Sequence, residues 1–126
     1  MGPKLLMLAA IVSLSPLIGP RAARAADATA GEAVFKSQCS ICHSVQPGKN
    51  MVGPSLSGIV GRTSGQVPGF RYSAANTNAK IDWTAPELDK YLAAPREVVP
   101  GTIMTYNGLK DPTKRADLIA YLSTLH

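Results

Sequence analysis

Apolar residues recur at helical spacing in only three stretches of the chain. In DATAGEAVFKSQCSICH (residues 27–43), Ala30, Phe35 and Cys39 mark an apolar stripe behind Asp27 or Thr29, which predicts a helix with Cys39–His43 on its last turn. In WTAPELDKYLAAP, Thr84 and Glu87 have the spacing of a capping box and Pro86 falls in the permissive first turn. Leu88, Tyr91 and Leu92 share a face, and Pro95 is expected to stop the run. In DPTKRADLIAYLSTLH, Asp111 is the expected N-cap, Pro112 the first helical residue, and Leu118, Tyr121, Leu122 and Leu125 the buried face.

Between the first two stretches the pattern lapses. From Ser44 to about Lys80 the chain carries Pro47, Gly48, Gly53, Pro54, Gly58, Gly61, Gly65, Pro68 and Gly69, which leaves room for no more than a helical turn near Ser73–Thr77. The expectation is an all-α domain of three helices joined by Gly/Pro-rich loops. A loop of that length in a compact domain needs something other than secondary structure to organise it. Two Phe and one Trp in the whole chain make a thin core, and a bulky apolar cofactor would complete it.

The N-terminus changes the charge argument. An apolar run from Leu5 to Ile18 follows Lys4, and Ala23-Arg24-Ala25 has the small-x-small pattern of a signal peptidase site. The run is shorter than a membrane span and is broken by Pro16. Residues 1–25 are therefore read as a cleaved signal, residues 26–126 as one periplasmic domain. Cleavage removes Lys4, Arg21 and Arg24, so 13 Lys plus Arg against 8 Asp plus Glu becomes 10 against 8, and the net charge falls from +5 to +2. The remaining cations are scattered, which argues against nucleic acid as a partner.

The two cysteines and His43 form C-x-x-C-H. In an exported chain the default for two cysteines is a disulfide. Zinc lacks a second ligand pair, since the other histidine is His126 at the end of the chain. A thioredoxin-like redox pair belongs at the start of a helix, and this motif ends one. Covalent haem attachment accounts for all three residues: two thiols three apart each bond a vinyl group, and the next residue lies under the ring. Met104, between Pro100-Gly101 and Asn107-Gly108, offers a soft second axial ligand, with Met51 as its rival.

GEAVFKSQCSICH, GPSLSGIVGRTSGQVPGFRYSAANTNAKIDW, YLAAP, VPGTIM and DLIAYL occur in the order and approximate spacing of a known family. Over essentially all of residues 26–126 the chain resembles the short-chain, mitochondrial-like class I cytochromes c of bacteria. The resemblance implies first and last helices crossing around one covalently bound haem c, with close approach at Gly31 and Phe35 near Leu118 and Tyr121. It implies thioethers at Cys39 and Cys42, axial ligation by His43 and Met104, and a hydrogen bond from the axial imidazole to the Pro54 carbonyl. Arg62, Tyr72 and Trp83 match positions that bury a haem propionate, and Asn76, Tyr91 and Thr102 match polar positions on the Met side.

The resemblance also implies electron carriage without catalysis, by a monomer working between a cytochrome bc complex or periplasmic dehydrogenase and an acceptor such as a cytochrome oxidase. It meets the membrane only through those complexes. Gln38, Arg96, Ile103 and Lys110 would surround the docking surface. Relatives crowd lysines there, whereas this chain has Glu32, Ala33, Gln38, Glu97 and Ile103. Steering toward an acidic partner should accordingly be weak. The competing expectation is a haem enzyme or gas-binding protein with a labile sixth ligand, which requires Met104 not to ligate.

Overall fold

The computed structural model describes residues 23–126, together with Gly2, Ser15 and Gly19. The greater part of the expected signal lies outside the described residues. Three helices fall where the periodicity puts them: α1 (Ala28–Gln38), α3 (Ala85–Ala93) and α5 (Pro112–Leu122). Two short ones, α2 (Ala74–Ala79) and α4 (Pro95–Val98), complete the set. Among the described residues the only pairing of strand type is an isolated bridge between Thr63 and Asp82.

The caps explain the starts. Asp27 Oδ1 accepts the Thr29 and Ala30 N–H groups, Ser73 caps α2, and Asp111 Oδ1 accepts Thr113 and Lys114. At α3 only half of the expected capping box forms. The Glu87 N–H donates to Thr84 Oγ1 at 3.4 Å, but the Glu87 carboxylate pairs forward with Lys90 Nζ at 2.7 Å. The Thr84 N–H is already committed to the Asp82 carbonyl at 2.7 Å, so the carboxylate has no donor to return to.

Two boundaries differ from expectation. The first helix closes at Gln38, so Cys39–His43 follows it rather than forming its last turn. Pro95 ends α3 by forbidding helical geometry at Ala94, which sits at φ −155°, and then opens α4 as its first residue. One proline thus separates two helices instead of ending one.

The core forms where α1 crosses α5. The crossing is possible because Gly31 has no side chain, for a methyl group there would collide with the Asp117 carbonyl and Tyr121 Cβ. Phe35 meets the Tyr121 ring at 5.7 Å between centroids, and Leu118, Ile119 and Leu122 are buried beside them. From α3, Leu88, Tyr91 and Leu92 extend this core, and the loops add Ile59, Val67, Val99 and Leu109.

The long middle segment is tied down by backbone bonds to distant residues. Gly58 N–H donates to Leu125 O at 3.2 Å, Gly61 N–H to Trp83 O at 2.9 Å, and Ser64 N–H to Ile81 O at 2.7 Å. These contacts fix the loop without making it regular.

Candidate functional site

The site grows from the end of α1. The N–H groups of Cys42 and His43 both donate to the Cys39 carbonyl at 3.0 Å, which winds the motif into one tight turn. Gly53 N–H then donates to the Cys42 carbonyl at 2.8 Å and folds the chain back on itself. Asn50 and Ser55 lock this return: Asn50 Oδ1 accepts the Ser55 N–H at 2.9 Å, and Ser55 Oγ donates to the Gln46 carbonyl at 2.7 Å.

That return lays Gly53-Pro54 against the His43 ring. His43 Nδ1 lies 2.8 Å from the Pro54 carbonyl oxygen. A carbonyl can only accept, so Nδ1 carries the hydrogen. Burial holds the imidazole pKa below its usual value, the Pro54 bond opposing it, and the neutral ring therefore presents its lone pair on Nε2. Gly53 is required here, because a methyl group on it would collide with the imidazole.

Cys39 and Cys42 are half-buried free thiols. Burial, reinforced by Cys42, pushes the Cys39 thiol up to about 11, the opposite of what a reactive redox pair needs. Among the described residues no group of three or more His, Cys, Asp or Glu has the arrangement of a metal site.

Met104 comes from the loop after α4. A turn through Gly101, at φ +89°, is closed by Thr102 N–H donating to Val99 O at 3.0 Å, and Met104 N–H donates to Thr102 Oγ1 at 3.2 Å. Tyr91 Oη donates to Met104 Sδ at 3.3 Å. Burial raises the Tyr91 phenol, and the side chains of Thr102 and Asn76 beside it pull the other way. The four Met-side residues thus form one cluster. Met51 differs: it is 43% exposed and joins no such cluster.

The other trio also assembles. Trp83 N–H donates to the Arg62 carbonyl at 2.9 Å, and Tyr72 Oη accepts the Val67 N–H at 3.1 Å. Burial raises the Tyr72 phenol, the Val67 bond and the nearby Arg62 charge opposing it. Trp83 in turn packs on Tyr91 at 4.7 Å between centroids and so joins the two clusters.

Three of the four docking candidates, Gln38, Arg96 and Lys110, gather at one edge around Tyr106. Arg96 and Lys110 line a shallow cleft of about 90 Å³ with Tyr106, whose hydroxyl donates to Gln38 Oε1 at 3.2 Å. Ile103, 63% exposed, lies on the same loop as Tyr106. Lys110 Nζ is bonded to the Ala93 carbonyl, where it caps α3, so that cation is partly committed. A larger cleft, about 290 Å³, lies elsewhere, between Ala23–Ala26 and α5.

Gly53 and Tyr106 were not legible as site residues. The Gly53-Pro54 pair reads as ordinary turn punctuation, and nothing in the sequence links Tyr106 to Gln38 across 68 positions.

Among the described residues one buried side-chain polar atom is left over. Asn76 Oδ1 is buried without a partner, in the cluster that holds Met104. A free imidazole nitrogen, a thioether and an unsatisfied buried amide oxygen are donor and acceptor types that suit a large ring with a central metal and polar edges.

The cytochrome c family model matches residues 28–126, every described element included. The chain belongs to the cytochrome c family. This cytochrome c is 52% identical over 99 residues to cytochrome c2 of Rhodopila globiformis, covering 79% of this chain and 93% of that one. It is 49% identical over 110 residues to cytochrome c2 of Blastochloris viridis, covering 86% and 84%. Its fold is similar to the solved cytochrome cH from Methylobacterium extorquens, with a TM-score of 0.73 and 42% identity over 78% of this chain and 98% of that one. It is an electron carrier rather than an enzyme, and its cofactor is one covalently attached haem c.

Proposed function

We propose that this cytochrome c is a soluble periplasmic carrier that takes one electron at a time from a cytochrome bc complex or periplasmic dehydrogenase and gives it to an acceptor such as a cytochrome oxidase. Residues 1–25 are the export signal, cleaved after Ala25, and residues 26–126 are the working monomer. Among the described residues no helix is long and apolar enough to cross a membrane, and contact with membranes runs through the partner complexes.

Cys39 and Cys42 would hold the haem through thioethers, and His43 Nε2 and Met104 Sδ would be the donors to its iron. Bound haem c supplies one-electron chemistry between ferrous and ferric iron. The protein's part is to keep both axial donors fixed and everything else out. The Pro54 carbonyl holds the imidazole by its Nδ1 hydrogen and keeps Nε2 free to donate. Tyr91 holds the thioether from the other side. Arg62, Tyr72 and Trp83 would receive a propionate, which would remove the cost of burying an unpaired carboxylate.

The observation that carries the reading is the His43–Pro54 hydrogen bond, because it selects the tautomer an axial ligand needs beside two unbonded thiols. The test is denaturing electrophoresis with a haem-peroxidase stain, followed by the ferric far-red band of Met-to-iron charge transfer. A stained band that loses the far-red feature in Met104→Ala is the expected result. A colourless band, or a Met104→Ala spectrum equal to that of the parent, contradicts it.

Docking uses the edge formed by Gln38, Arg96, Ile103 and Lys110. Gln38 and Ile103 carry no charge, and Ile41, Val52 and Ile103 are exposed apolar side chains. Transfer rates to candidate oxidases should therefore fall only shallowly with salt. A steep fall contradicts this account of the surface.

A further inference from the structure

The larger cleft has a charged floor that haem binding does not use. Asp117, in the middle of α5, has a side chain only 6% exposed. Its Oδ1 accepts the Asp27 N–H at 2.8 Å, and its carboxylate takes the Arg24 guanidinium at 3.1 and 3.2 Å. Arg24 and Asp117 are the charged residues lining the cleft, and the Asp27 carboxylate stands 3.8 Å from the other arm of the guanidinium. Ala23, Ala26, Pro112, Thr113 and Ala116 supply the remaining wall. The arrangement clasps the start of α1 onto α5 beside the Gly31 crossing.

The bond expected to be cut lies inside this clasp. If the chain is processed after Ala25, as proposed above, the cation that among the described residues is bonded to Asp117 leaves with the signal. Hydrolysis adds water across the Ala25–Ala26 peptide, the hydroxyl going to the Ala25 carbonyl carbon. After ionisation the products are a carboxylate on Ala25 and an ammonium on Ala26. That new nitrogen is one residue before the Asp27 N–H that already bonds Asp117. Consecutive backbone nitrogens lie within about 4 Å of each other, so the ammonium starts no farther than about 7 Å from Asp117 Oδ1 and is free to swing closer.

We propose that processing exchanges the counter-ion of Asp117, the α-ammonium of Ala26 taking the place of the Arg24 guanidinium. A buried carboxylate left without a cation is costly, and the cut supplies a cation at the point where it removes one. The exchange also replaces a permanent charge with one that titrates. An α-amino group beside a carboxylate has a folded pKa raised above its unfolded value. Its contribution to stability is complete below the ordinary α-amino range and disappears as pH rises through the raised value. The processed protein thus carries a clasp between α1 and α5 that alkaline pH loosens, whereas a chain retaining Arg24 does not.

The test uses haem-loaded protein made from the full-length gene in a host that exports and matures cytochromes c. Intact mass and N-terminal sequencing should give Ala26 as the first residue. A terminus that retains Arg24 overturns the exchange while leaving electron carriage untouched. Titration of the ¹⁵N-labelled α-amine should give a midpoint at least about one unit above the ordinary 7.7–8.0. Asp117→Asn should return it to that range. Because that variant can fail to fold, the unmodified protein provides a second reading: the Asp117 carboxyl ¹³C shift should move with the same alkaline midpoint. An α-amine that titrates in its ordinary range, or an Asp117 signal blind to that titration, overturns the proposal.

Discussion

The α1–α5 crossing and the loop-rich side of the molecule are held together in different ways. At the crossing, protein meets protein: Gly31 admits the α5 backbone, Phe35 packs on Tyr121, and the carboxylate of Asp117 accepts the Asp27 N–H. On the loop side, Met104, Asn76, Tyr91 and Thr102 converge on a place where one buried oxygen has no partner. The crossing is complete as a protein structure, whereas the loop side is complementary to something that is not protein.

The largest test of that difference removes the attachment. Replacing both Cys39 and Cys42 with Ala should abolish the haem-stained band. Amide exchange in any protein recovered should show residues 44–83 unprotected while Phe35 and Leu118 keep residual protection. Equal protection in both regions would break the comparison.

Two glycines separate the regions next. Gly31→Ala forces the helices apart and should cost about 1–3 kcal/mol in denaturant unfolding while leaving the haem spectrum unchanged. Gly53→Ala drives a methyl group into the His43 ring and should perturb the axial-ligand spectrum before it perturbs stability. Reversed outcomes would mean that the regions are not separable.

A smaller effect is expected at Met104. Tyr91→Phe removes one hydrogen bond to the sulfur, worth about 0.5–1.5 kcal/mol, or roughly 20–65 mV for one electron. A thioether relieved of that donor becomes a better ligand to ferric iron, so the midpoint potential in voltammetry should fall. An unchanged or higher potential refutes the contact's role.

The smallest effect concerns acid. The Asp27 N–H, opposed by burial and assisted in the unprocessed chain by Arg24, holds the Asp117 carboxyl below the usual aspartate value of 3.8. Because the folded pKa is depressed, its contribution is present above the unfolded value and disappears as pH falls through the folded one. Thermal unfolding of the parent should therefore weaken with acid below about pH 3.8 more than that of Asp117→Asn. Parallel curves would remove Asp117 from the account of the crossing.

The helices were legible because each carries its own instructions. Asp27, Thr84 and Asp111 cap their helices as expected, and the stripes at Phe35, Leu88 and Leu118 are the buried ones. Where a signal had two solutions, the choice was tertiary. Glu87 had a nearer cation in Lys90, and Pro95 could end one helix and begin another. The loop was legible only as a lack of pattern. Its order comes from bonds such as Gly58 to Leu125 and Asn50 to Ser55, which no local periodicity announces.

The sequence by itself carried the kinds of donor that the proposed ligation uses, since C-x-x-C-H and a methionine in a Pro/Gly loop supply thiols, an imidazole and a thioether, and donor type is a property of residues. It also determined the helices that frame them. Only the tertiary structure decided which nitrogen of His43 is free, which methionine joins the cluster, and that Gly53 must lack a side chain. Those are matters of distance between segments far apart in the chain, and distance is set by packing.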